Sequence, residues 1–114
     1  MPNSHPPKLT AAEGKALRAF KEAVMAAFQG ASLTMYGSKA RGDSARSSDI
    51  DILVALKEKV TPEVEARVFD MAYRVSLDYD VVLGVIVQSD EFLTSPVAGA
   101  MPFYCRVMAE GIRI

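Results

Sequence analysis

The sequence predicts one α/β domain of the α+β type, a small mixed sheet of three to four strands flanked by helices. Three observations carry that expectation. Apolar residues recur at helical spacing in two long segments, and three strand-like runs alternate with them. The chain has 114 residues, 50% of them hydrophobic and 24% charged, which suits a single globular core and is too small for a second lobe.

Residues 1–8, MPNSHPPK, are Pro-rich and polar and read as a flexible leader, leaving 9–114 as the domain. Thr10-Ala-Ala-Glu13 has the form of a capping box, in which a hydroxyl and a carboxylate satisfy the free amides of a new helix. Leu17, Phe20, Val24 and Phe28 then form a helical stripe, and Gly30 supplies the stop. Ser32 to Tyr36 is expected as a short strand ending at Gly37-Ser38, and Asp49 to Ala55 as a second. Thr61-Pro62 opens another helix, with proline at its first position and Val64, Val68, Met71 and Val75 on its inner face. Asp80 to Val87 is nearly all apolar and reads as a central third strand. Either Ser89 or Ser95 starts a last helical region, which Gly111 ends before the tail Ile112-Arg113-Ile114.

Composition narrows the function classes. Thirteen basic and fourteen acidic residues give a net charge of −1, so no global attraction to nucleic acid or membrane is expected. The longest apolar run, Val81 to Val87, is far short of a membrane span. The single Cys105 excludes an internal disulfide and suits a reducing cytoplasm. It sits among Phe103, Tyr104 and Val107, which favours a buried, inert thiol, and the sole histidine, His5, lies in the leader. Neither GxxxxGK[ST] nor GxGxxG occurs, and the Arg41-Gly42-Asp43 tripeptide is taken as coincidence.

The chemistry concentrates between Tyr36 and Val54. Side chains alternate across a strand, so Asp49 and Asp51 share one face while Ile50, Ile52 and Val54 take the other. Two ionised carboxylates about 4 Å apart repel by roughly 4 kcal/mol at an effective dielectric near 20. Asp80 adds a third acid, and Asp78 precedes it with the same parity. A divalent cation answers this repulsion, since Mg²⁺ takes a few carboxylate oxygens and completes its shell with water and substrate phosphates. The plainer reading is that the acids cap a strand edge or pair with arginines. Ahead of them, Gly37 permits close approach of a ligand to the backbone. Ser38 offers an amide and a hydroxyl at an expected helix start, and Arg41 and Arg46 provide multi-donor heads for phosphate.

Gly37-Ser38, ten residues, then Asp49-Ile50-Asp51 resembles the signature of the DNA polymerase beta-like nucleotidyltransferase superfamily. The fuller stretch GSKARGDSARSSDIDILV, with the ending PFYCRVMAEGIRI, is similar to its minimal nucleotidyltransferase (MNT) branch, whose members pair with HEPN-domain proteins as toxin–antitoxin systems. The resemblance spans most of the chain and implies the polymerase beta-like fold. It implies two Mg²⁺ ions held by Asp49, Asp51 and Asp80, with Asp80 also receiving the acceptor's proton. Nucleotide and phosphate contacts would fall to Gly37, Ser38, Arg41 and Ser48, with ATP as donor; Lys39 has at most a phosphate contact. The implied reaction moves AMP from ATP to a tyrosine of a cognate HEPN RNase toxin, making this an antitoxin without direct nucleic-acid or membrane binding. Two alternatives stand beside it: an antitoxin acting by binding alone, and a nucleotidyltransferase for a small molecule.

Overall fold

The computed structural model describes residues 9–42 and 49–114; the leader 1–8, Arg46 and Ser48 lie outside the described residues. The first helix, α1 (Ala11–Ala27), begins at the expected capping box: the Glu13 amide donates to Thr10 Oγ1 at 3.1 Å, and the Thr10 amide donates to Glu13 Oε1 at 2.9 Å. There follow β1 (Ser32–Tyr36), a five-residue helix α2 (Gly37–Arg41) and β2 (Ile50–Leu56). Next come α3 (Pro62–Tyr79), β3 (Leu83–Ser89) and three short helices, α4 (Asp90–Leu93), α5 (Pro96–Gly99) and α6 (Pro102–Glu110). A closing strand, β4 (Ile112–Arg113), ends the series.

The sheet is four-stranded in the order β3-β2-β1-β4. β1 lies antiparallel to both β2 and β4, while β2 and β3 run parallel through the α3 crossover. This is the mixed α+β architecture that the sequence predicts. The tail read as a short extension is the fourth strand. Ser89 and Ser95 both act as caps, accepting the amides of Phe92 and Ala98, and Pro96 and Pro102 start new helices, so the last helical region is three pieces.

Two corrections concern β3. The strand starts at Leu83, not Asp80, because Asp80 ends α3 in the left-handed conformation (φ 53°) and donates its amide back to Ser76. Nor is the strand central. It stands at the sheet edge, and its apolar character reflects helices over both faces, not neighbours on both sides.

The two faces of β2 bury different things. Ile50, Ile52, Val54 and Leu56 join Phe20, Val24 and Phe28 of α1 and Val68 of α3 in the main core. On the opposite face Leu53 meets Tyr104 and Val107 of α6 and Ala98 of α5, with Ile86 and Phe92 beside them. That second layer is small, and Tyr36, the β1 neighbour of Asp51, packs at its margin. Cys105 is exposed, not buried as expected, because α6 turns Tyr104 and Val107 inward; its thiol donates to the Gly99 carbonyl at 3.2 Å.

Glu13 reaches beyond its cap. Its Oε2 lies 2.8 Å from Lys39 Nζ, and the two side chains are 8% and 3% exposed, so a buried ion pair fastens α2 to α1. Burial pushes the Glu13 carboxyl up, but the Lys39 hydrogen bond and charge and the Thr10 amide outweigh it and hold the group below 4.5. A depressed carboxyl stabilises the fold above its unfolded value and loses that contribution as pH falls through the folded one. Lys39→Met is expected to destabilise the chain by about 3–5 kcal/mol in urea unfolding at pH 7 by stranding the carboxylate. Glu13→Gln with Lys39→Met recovers most of that loss, and the double variant is less sensitive than the parent to acid below pH 4.5.

Candidate active site

The candidate site lies where β1, β2 and β3 stand abreast, at one end of the second face. Tyr36, Asp51 and Gly84 are register partners in a row, so their side-chain positions share that face. The Asp51 carboxylate is held between two glycines. A Cβ placed on Gly37 would come 2.8 Å from Asp51 Oδ2, and one on Gly84 would come 3.1 Å from Oδ1. Gly37 also has φ 78°, so glycine there serves both the turn and the carboxylate.

Burial raises the Asp51 carboxyl above its usual 3.8, and the negative charge of Asp49 raises it further. Tyr36 is pushed up from 10.0 by burial, then by the Asp51 carboxylate and Tyr104. Asp49 itself is exposed, just before β2. Asp49 acts on Asp51 as a like charge, the repulsion that the sequence predicts. Asp51, half-buried and unrelieved by any ion pair among the described residues, and the neighbouring Asp49 are carboxylates of the kind that could hold Mg²⁺ together with water and phosphate oxygens.

Asp80 stands apart from this arrangement. It is exposed at the α3 C-terminus, three residues before β3, and Asp78 is exposed on α3 itself. Among the described residues no group of three His, Cys, Asp or Glu side chains is placed to hold a metal. The β3 position beside Asp51 belongs to Gly84. The sequence hides this because Asp80 has the same parity as Gly84, yet the helix end and its left-handed residue lie between them.

A cleft of about 170 Å³ opens beside Gly37, lined by Tyr36, Arg41, Phe103, Arg106, Val107 and Glu110. Arg41 and Glu110 approach to 3.8 Å across it, both 44% exposed, in an ion pair that water screens. Phe103 meets the Tyr36 ring edge-on at 5.4 Å between centroids. The α6 residues escaped sequence reasoning, although Phe103, Arg106 and Glu110 recur at i, i+3 and i+7, the spacing of one helix face. Ser38 follows Gly37 in the first turn of α2, half-buried, as expected. Lys39 is the exception in that turn, since it points to Glu13.

Residues 17–95 match the family model described as a nucleotidyltransferase domain. The chain belongs to the nucleotidyltransferase family. Two curated proteins of Methanocaldococcus jannaschii are similar to it. "Putative protein adenylyltransferase MJ0604" is 32% identical over 102 residues, covering 87% of this chain and 94% of the relative. Its counterpart MJ0141, of the same printed name, is 36% identical over 61 residues, covering 54% of this chain. That match spans 62% of the relative's own length. The mixed sheet with helices on both faces is consistent with the polymerase beta-like fold, and no described helix is long and apolar enough to cross a membrane.

A raised carboxyl works against the fold at neutral pH: its stabilising contribution is present below the unfolded value and lost as pH rises through the folded one. Asp51→Asn is therefore expected to melt higher than the parent at pH 7, a gain that disappears below about pH 4 in thermal scans. Gly84→Ala is expected to keep stability within about 1 kcal/mol. By displacing the Asp51 carboxylate it lowers nucleotidyl transfer about tenfold or more.

Proposed function

We propose that this chain is a Mg²⁺-dependent protein adenylyltransferase that moves AMP from ATP to a protein hydroxyl, and that its acceptor is a tyrosine of a cognate HEPN RNase toxin. The observation that carries the reading is the half-buried Asp51 carboxylate, with Asp49 as its like-charged neighbour, set directly against the Gly37 turn, a backbone suited to phosphate. The printed names of the two archaeal relatives support protein adenylylation. The toxin partner and the antitoxin role rest on the resemblance of the Gly37–Val54 stretch and the closing helix to the MNT branch.

The roles divide by geometry. Asp49 and Asp51 would hold magnesium, which when bound neutralises charge on the phosphates and steadies the attacking and leaving oxygens. Gly37 brings the backbone against the triphosphate, and the Ser38 amide and hydroxyl donate to phosphate oxygens. Arg41, at the cleft mouth, supplies positive charge to the departing pyrophosphate. The acceptor hydroxyl attacks the α-phosphorus, the bond to the β-phosphate oxygen breaks, and pyrophosphate leaves. The hydroxyl proton passes to a nearby carboxylate. Asp80 is the base that the resemblance implies. It stands at the C-terminal end of α3, three residues before β3.

The test pairs the chain with the toxin encoded beside it, α-labelled ATP and Mg²⁺, read by label transfer and by intact mass. The expected result is an AMP-sized addition on a toxin tyrosine. Asp49→Asn with Asp51→Asn is expected to reduce that transfer about 100-fold or more, while Asp80→Asn reduces it far less. Unmodified toxin that is still neutralised by the double variant would replace this reading with inhibition by binding.

A further inference from the structure

The cleft beside Gly37 has a second wall, on α6, that the proposed chemistry leaves unused. α6 presents Phe103, Arg106, Val107 and Glu110 to it, at the i, i+3, i+4 and i+7 positions of one helix face. Arg41 closes the cleft from α2. It lies four residues after Gly37 on a helix whose side chains lean toward the N-terminus, so its stem runs back toward the Gly37 turn.

The charges of this cleft are unevenly matched. Arg106 and Glu110 stand four residues apart on α6, where an ion pair along the helix is available, yet the Glu110 carboxylate lies 3.8 Å from Arg41 instead. Arg106, exposed at the cleft wall, makes no ion pair among the described residues. The lining residues thus set two guanidinium groups against one carboxylate, beside the positive-φ turn at Gly37. At about 170 Å³ the cleft is smaller than the roughly 300 Å³ at which pockets begin to enclose a whole organic ligand, so it seats one end of the donor. The arginines decide which end. Their planar heads meet phosphate oxygens through parallel charge-assisted hydrogen bonds, whereas a purine ring would leave the surplus charge unneutralised.

We propose that Arg106 is a second residue that binds the terminal phosphates of the donor, and that Glu110 is the anion those phosphates displace from Arg41. The inference rests on the proposed nucleoside triphosphate donor and is independent of the acceptor. Glu110 offers Arg41 a partner of the same charge sign as phosphate. Their contact is long and both side chains are 44% exposed, so water screens the pair and little is lost when it opens. A phosphate group that engages both guanidinium heads replaces this one screened contact with several charge-assisted hydrogen bonds. After transfer those bonds hold only pyrophosphate, and Glu110 competes for Arg41 again, which favours release of that product. AMP lacks the terminal phosphates, so its binding does not depend on Arg106.

Equilibrium dialysis of the full chain against ATP, AMP and inorganic pyrophosphate, each with Mg²⁺, tests this without any acceptor. Arg106→Gln is expected to weaken ATP and pyrophosphate about tenfold or more and to leave AMP within about twofold, with thermal unfolding unchanged because the side chain is exposed. Arg106→Lys recovers part of the loss, since it restores the charge without the planar fork. Glu110→Gln is expected to tighten ATP about two- to fivefold, and most of that gain disappears when Arg41→Gln is also present. If Arg106→Gln binds ATP and pyrophosphate as tightly as the parent, the proposal is overturned and the nucleotidyltransferase reading still stands. The same follows if AMP is weakened as much as ATP, which would make the cleft a seat for the base, or if Glu110→Gln binds ATP no tighter than the parent. A parent chain that binds neither ATP nor pyrophosphate overturns this inference and the proposed donor together.

Discussion

A carboxylate drawn partly out of water and next to a second one is the constraint around which the site is built. Asp51 occupies the middle of three abreast strands, where neighbouring positions are ordinarily filled by side chains packed for burial. Here the β3 neighbour is Gly84, which leaves room at Oδ1, and Gly37, just past the β1 neighbour Tyr36, leaves room at Oδ2. The second apolar layer, centred on Leu53 and Tyr104, reaches the site through Tyr36, the β1 neighbour of Asp51. The chain thus gives up packing on that face to keep an ionisable group accessible, and the raised Asp51 carboxyl records the energetic consequence. Sites that carry chemistry commonly contradict the local rule for a stable core in this way.

The turn that faces Asp51 is secured from behind. α2 is only five residues long, too short to hold its own position by helical hydrogen bonds. Lys39 roots it through the buried bridge to Glu13, and Glu13 is itself fixed by the Thr10 cap. A capping residue at the start of the first helix therefore helps fix the backbone that meets the candidate phosphate site. On the solvent side the Arg41–Glu110 pair is loose and screened, so the cleft keeps one firm wall and one adjustable one.

Much of this was legible in order along the chain. The capping box, the Thr61-Pro62 helix start and the like-charge neighbours Asp49 and Asp51 depend on residues within a few positions of one another, and local spacing reports such relations faithfully. The third acid was not legible. Parity counts from Asp80 to Gly84 as though the backbone were extended throughout, while the chain is in fact leaving a helix through a left-handed residue. The edge position of β3 was also hidden, since an apolar strand covered on both faces reads alike whether it has one neighbour or two.

The sequence by itself determined the alternation of helices and strands, the nucleotidyltransferase signature and the closeness of the two like charges Asp49 and Asp51. Each is a property of periodicity or of residue types a few positions apart. Only the tertiary structure decided that Gly84 and not an acid stands beside Asp51, that Lys39 turns inward to Glu13, and that α6 brings Phe103, Arg106 and Glu110 to the Gly37 turn. These depend on strand register and on which helix packs over which strand, and contacts between residues so far apart in the chain leave no spacing to read.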